Sequence, residues 1–334
     1  IDQSVSIVAC PTRSMQPTQN TLNAAGLSPR PPATVGAFTT GTVNAFTPGT
    51  VGTFAERAAP IASRATPPTL IGIWRLGQLL CAGAHSRLFE AQPADAAGSP
   101  RYDYVLRTVP IARESREASI AQLTRFANAA TTTSHPNLIV VLESSLHSAQ
   151  PFLIMPRLAG ATLADLLRAS TPQPLPIVLW MVRQAAQGLA ALHLASWLHG
   201  DVKPENLYVG LHGHLTVLDL GFARQLGTRM NQEFLGTPQY AAPELLDDRE
   251  ATASAAADVF ALGRVLLKLL AWTRPTVKNL ESLDPVAELI SEMIAKDSAD
   301  RPSAKDVAAR LLRLEIETLG EHIQPESVSL RRAG

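Results

Sequence analysis

Cysteine is almost absent from this 334-residue chain, which holds only Cys10 and Cys81. Two cysteines exclude a disulfide-framed scaffold and the CxxC spacing of a zinc site, and they fit a reducing compartment. Net charge is absent too: Lys+Arg and Asp+Glu number 29 each, so no strong field draws the chain to nucleic acid or to an anionic membrane. No apolar run approaches the ~20 residues of a membrane span, and no charged-then-apolar signal segment opens the sequence. The expectation is a cytoplasmic protein with no nucleic-acid partner and no membrane span. Lysine is also scarce. Five Lys stand against 24 Arg, and none of the five lies in residues 1–200.

What is present is unevenly distributed. Residues 1–68 hold nine of the 25 prolines and only two acids, Asp2 and Glu56. Such a segment cannot bury enough apolar surface to offset its ordering entropy, so it is expected to be disordered. Within it TVGAFTTG, TVNAFTPG and TVGTFAER repeat with a period of eight from Thr34, a pattern of a flexible linker rather than of a short β-like patch. From Leu70 the texture changes, and 46% hydrophobic content supports a sizeable core. WRLGQLL, RLFEAQ, YDYVLRTVP, LIVVLESS and PFLIMPRL read as strands, and ARESREASIAQLTRFANAA as a helix. After Pro176 the pattern is helical, with IVLWMVRQAAQGLAALHLASW and AADVFALGRVLLKLLAW as core helices. Strands first and helices later predict an α+β protein with a ligand cleft between two lobes.

The stretch WLHGDVKPENLYV, residues 197–209, places Asp201, Lys203 and Asn206 in an apolar frame. Downstream come LTVLDLGFARQL with Asp219, GTPQYAAPELL from Gly236, DVFALG from Asp258 and DRPSA from Asp300. Any one of these is as well explained by a polar turn or a capped helix. Five in this order resemble the eukaryotic-type Ser/Thr protein kinases found in bacteria, over about residues 70–313.

The resemblance implies a bilobal protein-kinase-like fold, with a β-rich N-lobe at 69–156 and a helical C-lobe at 159–315. A disordered segment at 1–68 and a tail at 316–334 would flank this 69–315 domain. It implies ATP and Mg²⁺ as cofactors and Ser/Thr hydroxyls of protein substrates as acceptors. Asp201 would accept the substrate hydroxyl proton, Lys203 would contact the γ-phosphate, and Asn206 and Asp219 would hold Mg²⁺, which prefers hard oxygen ligands. Met155 would be the gatekeeper. Pro156 would offer a carbonyl to adenine and Leu158 its N–H and C=O, while Leu88, Val105 and Tyr208 would sandwich the ring. His199 and Leu220, and the ion pair of Glu244 with Arg301, would be structural.

Several positions depart from the family pattern. The glycine-rich loop reads CAGAHSRL and keeps only the middle glycine, Gly83. The strand that carries the family lysine reads YVLR, which puts Arg107 in its place, and Arg and Lys are not interchangeable there. The acid expected to brace that cation falls near Phe126, with Glu117 and Glu114 as nearby candidates. Gly200 replaces the arginine that would grip a phosphorylated activation loop, so activation is expected not to depend on loop phosphorylation. Between Asp258 and Arg301 lie 42 residues, a short span that trims the region where the family docks protein substrates. Three functions follow: a Ser/Thr protein kinase first, a pseudokinase scaffold with impaired or absent catalysis second, and a small-molecule phosphotransferase third. The third would not need GTPQYAAPE or DRPSA.

Overall fold

In the computed structural model the described residues are 70–322, apart from 97, 111–115, 170–171, 230–235, 248–251, 253 and 274–279. The expected disorder of residues 1–68, the period-eight repeat, Glu114 and residues 323–334 lie outside the described residues.

Six strands form one antiparallel sheet in the order β1-β2-β3-β4-β6-β5. They are β1 (Leu70–Ile71), β2 (Trp74–Ala82), β3 (Arg87–Pro93), β4 (Tyr104–Thr108), β5 (Glu143–Ser145) and β6 (Phe152–Pro156). Side chains alternate between the two faces of a strand. Phe89, Leu106, Phe152 and Ile154 therefore fill a small core on one face with Trp74 and Leu76. Leu88, Val105, Leu153 and Met155 point the other way, into the main core. The same alternation puts Arg107 on the face of Val105. Helix α1 (Arg116–Thr132) buries Leu123, Phe126, Ala127 and Ala130 at helical spacing.

One sequence expectation fails here. LIVVLESS is not a continuous strand: only Glu143–Ser145 pairs with β6. Leu138 instead makes an isolated parallel bridge to Val217, and the Ile139 N–H donates to the Val217 carbonyl at 2.9 Å. Burial of Leu138 and Ile139 against the second lobe outweighs their strand propensity.

That second lobe begins with β7 (Gly160–Thr162), α2 (Leu163–Arg168) and α3 (Leu175–Leu194), followed by β8 (Trp197–Leu198), β9 (Leu207–Gly210), β10 (Leu215–Val217) and β11 (Arg224–Gln225). It ends with α4 (Pro243–Asp247), α5 (Ala255–Leu270), α6 (Leu280–Met293) and α7 (Ala304–His322). Thr162 and Asp165 start α2 with a capping box. By length and composition alone α3 is apolar enough to cross a membrane, yet 67% of that window is buried within the fold. It is the central core helix. Arg183 on α3 pairs with Glu315 on α7 at 2.6 Å, and α7 runs on through the boundary expected at 315–316.

Candidate active site

The segment between β8 and β9 carries the first part of the site. His199 is fully buried. Its Nε2 lies 2.7 Å from the Leu218 carbonyl, and its Nδ1 accepts the Asp201 N–H at 3.2 Å. A carbonyl only accepts and an N–H only donates, so the ring carries its proton on Nε2. Asp258, at the start of α5, accepts the backbone N–H groups of His199 at 2.7 Å and Gly200 at 3.0 Å, with His193 Nε2 2.9 Å away. These bonds fix the chain path into Asp201.

Asp201 is then held on both oxygens. Lys203 Nζ lies 2.7 Å from its Oδ2, Asn206 Nδ2 donates to the same atom at 3.1 Å and to the Asp201 carbonyl at 2.8 Å. Thr237 Oγ1 donates to Oδ1 at 2.8 Å and accepts from Lys203 Nζ at 2.8 Å. The result is a closed triangle of carboxylate, ammonium and hydroxyl. Asp201, Lys203 and Asn206 are all buried. The carboxylate keeps a spare lone pair on Oδ1 and is aimed before any substrate arrives, which is the arrangement a proton acceptor needs. Asn206 spends its NH₂ on Asp201, leaving its Oδ1 for another donor or cation.

The second part is a buried ion pair. Asp219 has left-handed backbone, φ 51° and ψ 77°, and its Oδ1 accepts the Gly221 N–H at 3.1 Å. Arg107 reaches it from β4 in two-pronged fashion, Nη1 to Oδ1 at 2.8 Å and Nη2 to Oδ2 at 3.3 Å. Burial pushes the Asp219 pKa up, but the Arg107 charge and hydrogen bond, with Gly221, outweigh it and hold the carboxyl below its ordinary value. The guanidinium also lies over the Phe126 ring, 5.1 Å from its centroid. The expected acidic brace is therefore replaced by an aromatic face. Glu117 is exposed and forms no ion pair among the described residues.

As arranged, this group does not fit a divalent cation at Asp219. Both carboxylate oxygens already face a guanidinium, which places positive charge where a metal would have to sit, and the charges of Asp201, Asp219, Lys203 and Arg107 already sum to zero.

Between the lobes lies a cavity lined by Leu88, Val105, Met155, Pro156, Leu158 and Tyr208, and at its deeper end by Arg107, Phe126, Asn206 and Asp219. A mostly apolar slot with a few polar groups at one end suits a flat heterocycle carrying an anionic tail. Tyr208 is buried, and its hydroxyl donates to the Leu158 carbonyl at 3.1 Å, so one lone pair of that carbonyl is already engaged. Burial pushes the Tyr208 phenol up to about 12. Gly83 does not line the cavity; its N–H closes the β2–β3 turn on the Ser86 carbonyl at 2.8 Å, which takes it away from a phosphate.

The sequence of residues 101–284 matches the model of the protein kinase domain. The chain belongs to the protein kinase family. Bacterial Ser/Thr kinases are among its relatives. The serine/threonine-protein kinase PknL of Mycobacterium tuberculosis is 28% identical over 234 residues, covering 63% of this chain and 58% of its own. PkaA of Streptomyces coelicolor is 29% identical over 273 residues, covering 75% and 48%. The probable serine/threonine-protein kinase pknA2 of Bifidobacterium longum is 26% identical over 229 residues, covering 68% and 29%. The chain thus matches between 29% and 58% of the length of these relatives.

The kinase fold brings together Asp201, Lys203, Asn206, Asp219 and Arg107 as the sequence order implied, and it lines the cavity with the expected Leu88, Val105, Pro156, Leu158 and Tyr208. Three contributors carried no expected role. Thr237 and Asp258 sit inside quoted motifs, GTPQY and DVFALG, but their hydrogen bonds cross 36 and 59 residues of sequence. Phe126 occupied the place where an acid was sought. Arg301 donates to Glu244 through both Nη atoms at 2.7 and 2.8 Å, the structural ion pair that the motifs implied. Half-buried Arg125 on α1 donates Nε to the Gly221 carbonyl at 3.1 Å, and burial, then the charge of Arg224, push its pKa down. Neither arginine pairs with a carboxylate among the described residues.

Proposed function

We propose that this kinase domain transfers the γ-phosphoryl group of ATP to Ser or Thr hydroxyls of protein substrates. The observation that carries the reading is the Asp201–Lys203–Thr237 triangle, which prealigns a carboxylate with a cation beside it. Asp201 takes the hydroxyl proton as the substrate oxygen bonds to the γ-phosphorus and the bond to the β–γ bridging oxygen breaks, releasing ADP. Lys203 meets the charge that spreads over the γ-phosphoryl oxygens, and Arg107 faces the phosphates nearer the adenine. Leu88, Val105, Pro156, Leu158 and Tyr208 hold the adenine, while Gly83 shapes the turn above. Residues 69–315 hold the catalytic domain, whose last helix α7 runs on to His322, and the compartment is the cytoplasm.

The Arg107–Asp219 pair favours a second reading, a nucleotide-binding scaffold without catalysis, because it occupies the Asp219 carboxylate. Phosphate transfer from labelled ATP to a generic acceptor protein, with and without Mg²⁺, separates the two. On the enzyme reading wild type turns over, and Asp201→Asn loses ~10²–10⁴-fold while still binding ATP. Absence of wild-type turnover leaves the scaffold; equal turnover in Asp201→Asn removes the role given to Asp201.

A further inference from the structure

We propose that Arg107 acts as a built-in substitute for the divalent cation at Asp219, so that this chain binds adenine nucleotide without a metal. The inference rests on reading the interlobe cavity as a nucleotide site. It goes beyond that reading in naming the form of the ligand: the metal-free nucleotide rather than its magnesium complex.

Three observations carry it. Arg107 and Asp219 are both buried and joined at 2.8 Å and 3.3 Å, so a cation seeking Asp219 must first expel a paired guanidinium that forms no second ion pair among the described residues. Phe126 lies beneath that guanidinium at 5.1 Å; an aromatic face supports the cation without competing with Asp219 for it, as a carboxylate at that place would. Arg107 also lines the deep end of the cavity beside Asn206. A guanidinium has five N–H donors, and two point at Asp219. The remaining three make no hydrogen bond to another described residue, and they can meet phosphate oxygens in the planar geometry for which arginine is suited. One side chain thereby does two things a metal does: it neutralises Asp219 and presents positive charge to the phosphates.

Isothermal titration of the full 334-residue chain with ATP, once in excess EDTA and once in excess Mg²⁺, tests this. The expected dissociation constants agree within about threefold, a difference well below one charge-assisted hydrogen bond. Arg107→Met should weaken binding in EDTA by about tenfold or more and regain it on adding Mg²⁺, because the bared Asp219 then accepts the ion. Wild-type binding that appears only with Mg²⁺ overturns the inference and leaves the nucleotide site standing. No ATP binding under either condition overturns both the inference and the nucleotide reading of the cavity.

Discussion

Replacing Arg301 by Ala should destabilise the C-lobe by about 4 kcal/mol, a figure built from its contacts. The Arg301 side chain is completely buried, whereas Glu244 is 26% exposed. Breaking a buried pair from one side costs ~3–5 kcal/mol, and the residual water contact of Glu244 sets its share at the lower end. Arg301 also donates to the carbonyls of Ala295 at 2.8 Å, Ala256 at 3.2 Å and Lys296 at 3.2 Å, and its guanidinium lies 4.9 Å over the Phe260 ring. Each stranded buried carbonyl adds ~1–3 kcal/mol, an amount reduced by water entering the space the side chain leaves. For a domain of this size each kcal/mol lowers the melting temperature by ~2–4 °C, so calorimetry should show a drop of about 8–16 °C. Urea unfolding should show a lower midpoint at an unchanged slope. Arg301→Lys should recover less than half, since one ammonium cannot span Glu244 and three carbonyls. In a double-mutant cycle, Glu244→Met on the Arg301→Ala background should restore the ion-pair share of the loss, because no buried charge then lacks a partner, while the share of the three carbonyls stays lost. A loss below about 1 kcal/mol in Arg301→Ala would refute the reasoning, since it would show the pair to be solvated.

Gly200 has φ +81°, and a Cβ there would lie 2.6 Å from the Phe222 carbonyl oxygen. Gly200→Ala should therefore cost more than ~2 kcal/mol in chemical denaturation, and a neutral result would mean the turn is free to move. Thr237→Val removes the hydroxyl that joins Asp201 to Lys203. Turnover should fall by about tenfold or more with folding stability little changed, whereas a change in stability alone would assign Thr237 a structural role. The Tyr208 phenol, raised to about 12 in the folded state, stays neutral while the unfolded chain ionises near ~10. Its contribution to stability is whole below pH ~10 and is lost as pH rises toward 12. Melting temperature should fall more steeply over that window in wild type than in Tyr208→Phe, and parallel slopes would contradict the assignment.

The sequence by itself determined the class and the order of parts. Residue spacing at 2 and at 3.6 is written locally, so strands β2, β3, β4 and β6 and helices α1, α3 and α5 were all legible. The HGDVKPEN and DLG stretches hold their polar residues within a few positions of chain, so Asp201, Lys203, Asn206 and Asp219 stand out as candidates in the sequence alone. Leu138–Leu142 misled because its apolar residues satisfy a strand pattern, while their partner, Val217, lies in the other lobe. What only the tertiary structure decided was who faces whom. Arg107 and Asp219 are 112 residues apart in sequence, and nothing local to either says that the arginine turns to that carboxylate rather than to an acid on α1. The choice follows from packing: Phe126 fills the expected place of the acid, Glu117 stays in solvent, and the buried guanidinium pairs with Asp219, its one carboxylate partner among the described residues, because an unpaired charge there is too costly to keep.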